Sequence, residues 1–317
     1  MGTPVLIRIG DTVKHLYKSL YSMKDLLTVG QEKGFAVGAF SARYTPFISS
    51  IFKAGEALHA PLMVQICQIE LQWFNFSLEE FASQFWAQYD ALKPSVPVGL
   101  HLDHTKDFEL IKKAIDLGFS SVMIDSSDLE LEENIAKTKQ VVDYAHPWGV
   151  SVEAELGRIG TADFMESDHD EELFTDPEEA AYFVKQTGVD ALAVSVGTAH
   201  GVYMVRQPRI DVERLRQIRA LTPVALVLHG GSGTPADLIH KAIQFPGGGV
   251  GKVNVATDLE LAFSSCLGLK DRLAEKAVRE LPAADLERGL QAVQAVVEDK
   301  MANFLLSQGH AADYPGR

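Results

Sequence analysis

Leu100-His101-Leu102-Asp103-His104 closes an apolar run, Pro97-Val98-Gly99-Leu100, and stands directly before a helical pattern that begins near Lys106. A carboxylate and an imidazole side by side, where a strand hands over to a helix, are chemistry placed at a rim. Taken singly, His101 or His104 reads just as well as a hydrogen-bonded histidine near a strand end, since histidine is often partly buried. The choice depends on whether other strand ends carry compatible groups to the same place.

Outward from this stretch the chain alternates short β-like runs with longer helical ones. The expected strands are Phe35–Phe40, Pro61–Ile66, Pro97–Asp103, Ser120–Asp125, Val150–Leu156, Ala191–Val196, Ala225–Gly230 and Val250–Val255. Most are nearly continuous apolar runs, as parallel strands covered on both faces require. Helix starts are marked between them. Ser77-Leu78-Glu79-Glu80 has the form of a capping box, and Thr175-Asp176-Pro177-Glu178 and Thr234-Pro235 offer cap residues with proline in the first turn. Eight such alternations predict an α/β fold, a (β/α)8 TIM barrel. An open doubly wound sheet would place a glycine fingerprint after the first strand, and Phe40-Ser41-Ala42-Arg43 has none. Asp258–Glu280 and Ala284–Gln308 read as additional C-terminal helices. Residues 1–22 precede the pattern as an extension of unknown role, and 23–317 form a single barrel domain with those helices.

Composition narrows the function classes. The 317 residues are 46% apolar, ample for a core, and no run of about 18 apolar residues marks a membrane span. Residues 1–21 lack the compact apolar stretch and small-residue cleavage site of a signal peptide. Cys67 and Cys266 lie far apart and suggest no disulfide framework, so a cytoplasmic protein is the default. A net charge of −14 argues against nucleic acid as a partner, while leaving room for a small anionic substrate at a locally positive site.

In such a barrel the active site lies at the C-terminal ends of the strands. The third strand delivers Asp103 and His104, the fifth Glu153 and Glu155. The sixth leads into Gly197-Thr198-Ala199-His200-Gly201, the seventh into His229-Gly230-Gly231-Ser232-Gly233, and the eighth ends in Asn254-Val255-Ala256-Thr257. Three of the ten histidines, His104, His200 and His229, thus share one rim. Three imidazoles with a position left open suit a catalytic divalent metal, zinc first among them, with Glu155 as a fourth or alternate ligand. Strand parity puts Glu153 one layer below Glu155, where it needs a partner, and casts His101 as a support rather than a ligand. For His104 to face the metal beside Asp103, the chain must leave ideal strand geometry. Gly230-Gly231-Ser232, ahead of a helix start, reads as a phosphate site, because loops seven and eight are where such barrels hold phosphate. Phe245-Pro246-Gly247-Gly248-Gly249 precedes the eighth strand, at the other end of the barrel, and reads as a structural turn.

These blocks resemble the class II, metal-dependent ketose-bisphosphate aldolases, the fructose- and tagatose-bisphosphate enzymes. The matching residues are Lys24–Leu27 with Gly38–Phe40, His101–His104, Val122–Asp125, Glu153–Gly157, Gly197–Gly201, His229–Ser232 and Lys252–Thr257, across roughly residues 23–305. The resemblance implies a dimeric or tetrameric barrel with zinc or another divalent metal on His104, His200 and His229, and Glu155 as a further contact in some members. It implies Asp103 as proton carrier. The phosphorylated three-carbon half, released as dihydroxyacetone phosphate, would lie on Gly201, Gly230, Gly231, Ser232, Asn254, Val255, Ala256 and Thr257, with a monovalent cation nearby in some members. The chemistry agrees: aldol cleavage leaves an enediolate, whose charge a Lewis acid stabilises, while Asp103 exchanges the proton of the aldehyde oxygen. Such an exchange favours a carboxyl pKa above the free value, which burial near a metal can tune in either direction.

Departures leave the substrate open, a ketose 1-phosphate or 1,6-bisphosphate. Ser41 stands near a usual asparagine, and Cys67 where a serine follows glutamine. Asp163, in an acidic segment over 157–174, stands where the lid normally carries a longer glutamate. That segment reads as a solvated loop or as a mobile lid. Arg43 reads as a surface cation or as the holder of a second anion. Rival readings are a Schiff-base aldolase using Lys252, a metal-dependent epimerase or isomerase, an aldolase on an unphosphorylated ketose, and a silent phosphosugar sensor.

Overall fold

The computed structural model describes residues 5–9, 12–16, 19–158, 174–199 and 209–316. Two strands, β1 (Val5–Ile9) and β2 (Thr12–Leu16), form an antiparallel pair in register from Val5 opposite Leu16 to Ile9 opposite Thr12. Eight further strands close a parallel barrel: β3 (Val37–Ser41), β4 (Leu62–Cys67), β5 (Val98–Thr105), β6 (Ser121–Ile124), β7 (Ser151–Leu156), β8 (Ala191–Val194), β9 (Ala225–Leu228) and β10 (Val250–Val255), with β10 returning to β3. The expected (β/α)8 architecture is present.

Helices cover the outside: α2 (Phe47–Leu58), α3 (Gln68–Trp73), α4 (Leu78–Leu92), α5 (Phe108–Asp116), α6 (Leu131–Ala145), α7 (Pro177–Thr187), α8 (Val212–Leu221) and α9 (Ala236–Ile243). Their starts follow the sequence signals. Ser77 and Glu80 form both bonds of a capping box, and Asp176 accepts from the N–H groups of Glu178 and Glu179 with Pro177 at the first helical position. Before β3, α1 (Met23–Lys33) packs against β3, β5, β7, β9 and β10 together, so it closes the barrel floor. Met23, Leu26 and Leu27 fill that floor beside the small Ala39, Ala191, Ala193 and Ala225 of the strands, all buried. Apolar material is thus concentrated below, and the polar layers sit above it toward the mouth.

The C-terminal region differs from the expectation at one point. Asp258–Glu280 is not one helix but two, α10 (Thr257–Leu267) and α11 (Glu275–Arg279), because Gly268 ends α10 in a left-handed conformation at φ 67°. The last long helix, α12 (Ala283–Asp299), packs against α10 and α2 on the barrel wall. Among the described residues no helix is long and apolar enough to cross a membrane.

Several strands end earlier than the apolar pattern suggests. β6 stops at Ile124, β8 at Val194 and β9 at Leu228, so Asp125 and His229 stand just past their ladders. β5 runs on to Thr105, but its pairing with β6 shifts register between Leu102 and Thr105. His104 lies in that bulge with φ 33°, a left-handed backbone uncommon for a non-glycine residue. The departure from strand geometry that His104 required is present.

Candidate active site

The polar floor of the mouth is a closed set of buried charges. Lys252 of β10 is fully buried, with Nζ 2.9 Å from Glu153 Oε2 and 3.8 Å from Asp103 Oδ1. Glu153 of β7 therefore has the partner its burial demands. Burial pushes its carboxyl up, but Lys252 and the hydrogen bond from His229 outweigh that and bring it down to about 2. His101 fits between: Nδ1 is 2.9 Å from Ser121 Oγ, and Nε2 is 3.5 Å from both Asp103 and Glu153. Full burial and nearby Lys252 lower its pKa, which makes it a neutral spacer of the two carboxylates. The Schiff-base reading loses its nucleophile here, since Lys252 is committed to an ion pair beneath the mouth.

Asp103 lies one step above. Gln65 Nε2 donates to Oδ2 at 3.0 Å, and Asn254 Nδ2 reaches both oxygens at 3.1 and 3.2 Å. Desolvation raises its pKa, yet the charges of His104 and Lys252 and the bond from His101 hold it well below the usual carboxylate range. It is therefore held as a base, not poised above the free value. Asn254, expected on the substrate phosphate, instead turns its amide to Asp103.

At the rim, each described histidine has one nitrogen held by a carboxylate. His104 Nδ1 is 2.9 Å from Asp125 Oδ2, and His229 Nε2 is 2.9 Å from Glu153 Oε1. The two rings lie 4.4 Å apart between centroids, and His229 Nδ1 is 3.1 Å from Glu155 Oε2. The Ser127 hydroxyl lies between Asp125 and Glu155, 2.8 and 3.1 Å from their oxygens, with one proton to share between them. Burial disfavours the imidazolium of His104, but Asp103, Asp125 and Glu155 raise it to about 10. The field that draws a proton onto His104 also attracts a cation.

Among the described residues three groups have ligand atoms within 4.8 Å of one another: Asp103–His104–His229, His104–Asp125–Glu155 and His101–Asp103–Glu153. The last already faces the Lys252 ammonium, which repels a second cation. The first two share His104 and present imidazole nitrogen with carboxylate oxygen, a donor set that fits a divalent transition metal. His200, Gly201 and Asp163 lie outside the described residues, as does most of the acidic segment.

The phosphate candidates divide. Gly230 is at φ 70°, where an added Cβ would stand 2.3 Å from the Ala199 carbonyl, and one on Gly231 would meet Val253 at 2.5 Å. Both glycines are demanded by close packing, and the Gly231 N–H is spent on the Asn254 carbonyl at 3.1 Å. Ser232 Oγ accepts from the N–H groups of Ala256 and Asp258, at 3.3 and 3.2 Å, occupying the start of α10 as an anion's oxygen would. Val255 is buried in the core, and Thr257 opens α10 beside the cleft.

Gly230, Ser232, Asn254, Ala256 and Thr257 line a cleft of about 510 Å³ that extends over Ser41, Cys67, Ile69 and Trp73. Arg43 also lines it and is no surface cation: it is buried, with Nε 2.6 Å from Glu70 and Nη1 bonded to Glu260. Asp125 as the holder of His104, Ser121, Ser127 and the Gln65–Asn254 clamp were not singled out from sequence. Asp125 and Ser127 follow the end of β6 at the mouth, and Gln65 and Asn254 lie near the ends of their strands, but Ser121 opens β6 and carries no such signal.

Fold and cluster together describe a (β/α)8 barrel whose mouth carries imidazole and carboxylate groups that fit a divalent metal. A family model described as fructose-bisphosphate aldolase class-II matches residues 21–310, and the chain belongs to that family. It is 37% identical to a fructose-bisphosphate aldolase of Staphylococcus aureus over 287 residues, 90% of this chain and 97% of the relative. To that of Geobacillus stearothermophilus it is 37% identical over 305 residues, 93% and 99% of the two chains. The crystal structure of the YdjI aldolase of Escherichia coli K12 superposes with a TM-score of 0.77 at 31% identity, covering 92% of this chain and 99% of that one. The protein is accordingly a lyase, and metal-dependent aldol cleavage of a ketose bisphosphate is the reaction of its family.

Proposed function

We propose that the metal is zinc, held by His104, His229 and His200 with Glu155 as a further contact, and that Asp103 carries the proton of the aldol step. The observation that carries this is the pair of carboxylate–histidine bonds, Asp125 to His104 and Glu153 to His229, which fix both rings as metal-ligating histidines are usually fixed. Bound there, the metal would supply Lewis-acid stabilisation of the enediolate. Asp103, ionised and clamped by Gln65 and Asn254, accepts the hydroxyl proton in cleavage and returns it in condensation. The start of α10 with Ser232, Ala256 and Thr257 takes the phosphate of the dihydroxyacetone phosphate half, together with Gly201, Gly230 and Gly231 around it, and a monovalent cation completes that end. Asp163 exchanges a proton at the three-carbon half.

The same reading takes residues 23–317 as one domain preceded by an extension, 1–22, of unknown role, and the active form as a cytoplasmic homodimer or homotetramer. Product NMR on phosphorylated ketoses tests the chemistry: two three-carbon fragments, lost on chelation and restored by Zn²⁺, are expected. Turnover that survives EDTA would remove the metal role.

A further inference from the structure

We propose that the cleft beyond Asp103 is built for an uncharged ketose tail laid against Trp73, so that ketose 1-phosphates are preferred to the matching 1,6-bisphosphates. The inference rests on the aldolase reading above and narrows its substrate.

Asp103 marks the carbon that becomes the aldehyde. Its register partner on β4 is Cys67, and α3 starts at the next residue, so a tail leaving Asp103 on this side passes over Cys67 and α3. Ile69 and Trp73 are four residues apart on α3, hence on one face, and line the cleft at 42% and 51% exposure. A large ring half exposed at the edge of a polar site, with a guanidinium over one part of it, offers its remaining surface as a platform for the C–H face of a polyol or an alkyl chain. Burial and the nearby Glu70 and Asp103 push the Cys67 thiol well up, so it adds no charge.

The cation expected to meet a second phosphate is already engaged. Arg43 gives Nε to Glu70 and Nη1 to Glu260, while Arg272 binds the same Glu260 at 2.6 and 3.1 Å and lies 5.2 Å over the Trp73 ring. Two guanidiniums face two carboxylates, and the network is neutral. A phosphate dianion reaching Arg43 would have to displace a buried carboxylate and lie beside it. Arg158, the other cation lining the cleft, donates to the Asp128 carbonyl at 2.8 Å and shares its side of the cleft with Asp125, Asp128 and Glu155. Among the described residues, then, Arg43 is tied up by two carboxylates, and Arg158 is turned to a backbone carbonyl on the acidic side of the cleft.

The test uses the metal-loaded full-length protein and ketohexose 1-phosphates and 1,6-bisphosphates of matched stereochemistry. A kcat/KM at least about tenfold higher for the 1-phosphates is expected, together with a rise of about tenfold in KM and little change in kcat for Trp73→Ala. Trp73 is half exposed, so this variant should fold. Glu260→Gln, which releases one hold on Arg43, should lower KM for the bisphosphate and leave the 1-phosphate unchanged. A bisphosphate used as well as or better than its 1-phosphate overturns the proposal while leaving the aldolase reading intact, and so do unchanged constants in Trp73→Ala. Cleavage of neither series, with no condensation of dihydroxyacetone phosphate onto any aldehyde, overturns both.

Discussion

Glu153 Oε1 accepts the Nε2–H of His229 at 2.9 Å, so a cation at this ring would bind Nδ1, which faces Glu155 Oε2 at 3.1 Å. An ionised carboxylate can only accept, so the bond dictates the tautomer. Glu153→Gln removes the dictation, because an amide can donate to Nε2 as readily as accept from it. Metal affinity should fall by about 10–100-fold, measured by competition with a chromophoric chelator. Unchanged affinity would show that the tautomer is set elsewhere.

Lys252 and Glu153 bury opposite charges at full depth, 2.9 Å apart. Removing one of them leaves the other without a counter-charge in a low-dielectric floor. Lys252→Met should cost about 3–5 kcal/mol in urea unfolding of the metal-free protein, and Lys252→Met with Glu153→Gln should recover part of it. Borohydride with substrate should trap nothing on Lys252. A trapped adduct would restore the Schiff-base reading.

Much of this was legible in the chain. The apolar runs located all eight barrel strands, because both faces of a parallel strand are buried and the pattern is nearly continuous. Parity along β7 placed Glu153 below Glu155 for the same geometric reason. What lay beyond reach was whatever depends on partners distant in sequence. Arg43 read as a surface cation or the holder of a second anion because its two carboxylates, Glu70 on α3 and Glu260 on α10, stand 27 and 217 residues away. Asn254 read as a phosphate ligand because nothing local shows that its amide crosses the barrel to Asp103. Asp125 was visible only as the end of an apolar run, since the bulge that turns His104 toward it is set by tertiary pairing.

His104 is raised to about 10 from an ordinary 6.5, with the Asp103, Asp125 and Glu155 carboxylates overcoming burial. A group raised on folding stabilises the fold fully below its unfolded pKa and loses that contribution as pH climbs through the folded one. The metal-free protein should therefore lose thermal stability between about pH 6.5 and 10, and His104→Gln should flatten the decline. A metal ligand must shed its proton, so binding at pH 8 should release about one proton from His104. Calorimetry in buffers of different ionisation enthalpy measures this, and zero release would mean that His104 is already neutral or does not ligate.

Asp103 receives donors from Gln65 and Asn254 and the charges of His104 and Lys252, which keep it ionised despite its burial. Asp103→Asn keeps the shape but cannot take the proton, so kcat should fall by about 10²–10⁴ with metal content unchanged. The clamp itself predicts a subtler effect. Hydrogen bonds to a carboxylate lower its pKa, and deleting them lets burial dominate. Gln65→Leu with Asn254→Leu should move the acid limb of the kcat/KM profile of the metal-loaded enzyme to higher pH by about one unit or more. The sign follows from a depressed carboxyl being active in its ionised form: with fewer donors it protonates earlier as pH falls. An acid limb that stays in place, with kcat reduced uniformly at all pH values, would mean that Gln65 and Asn254 position Asp103 without controlling its charge.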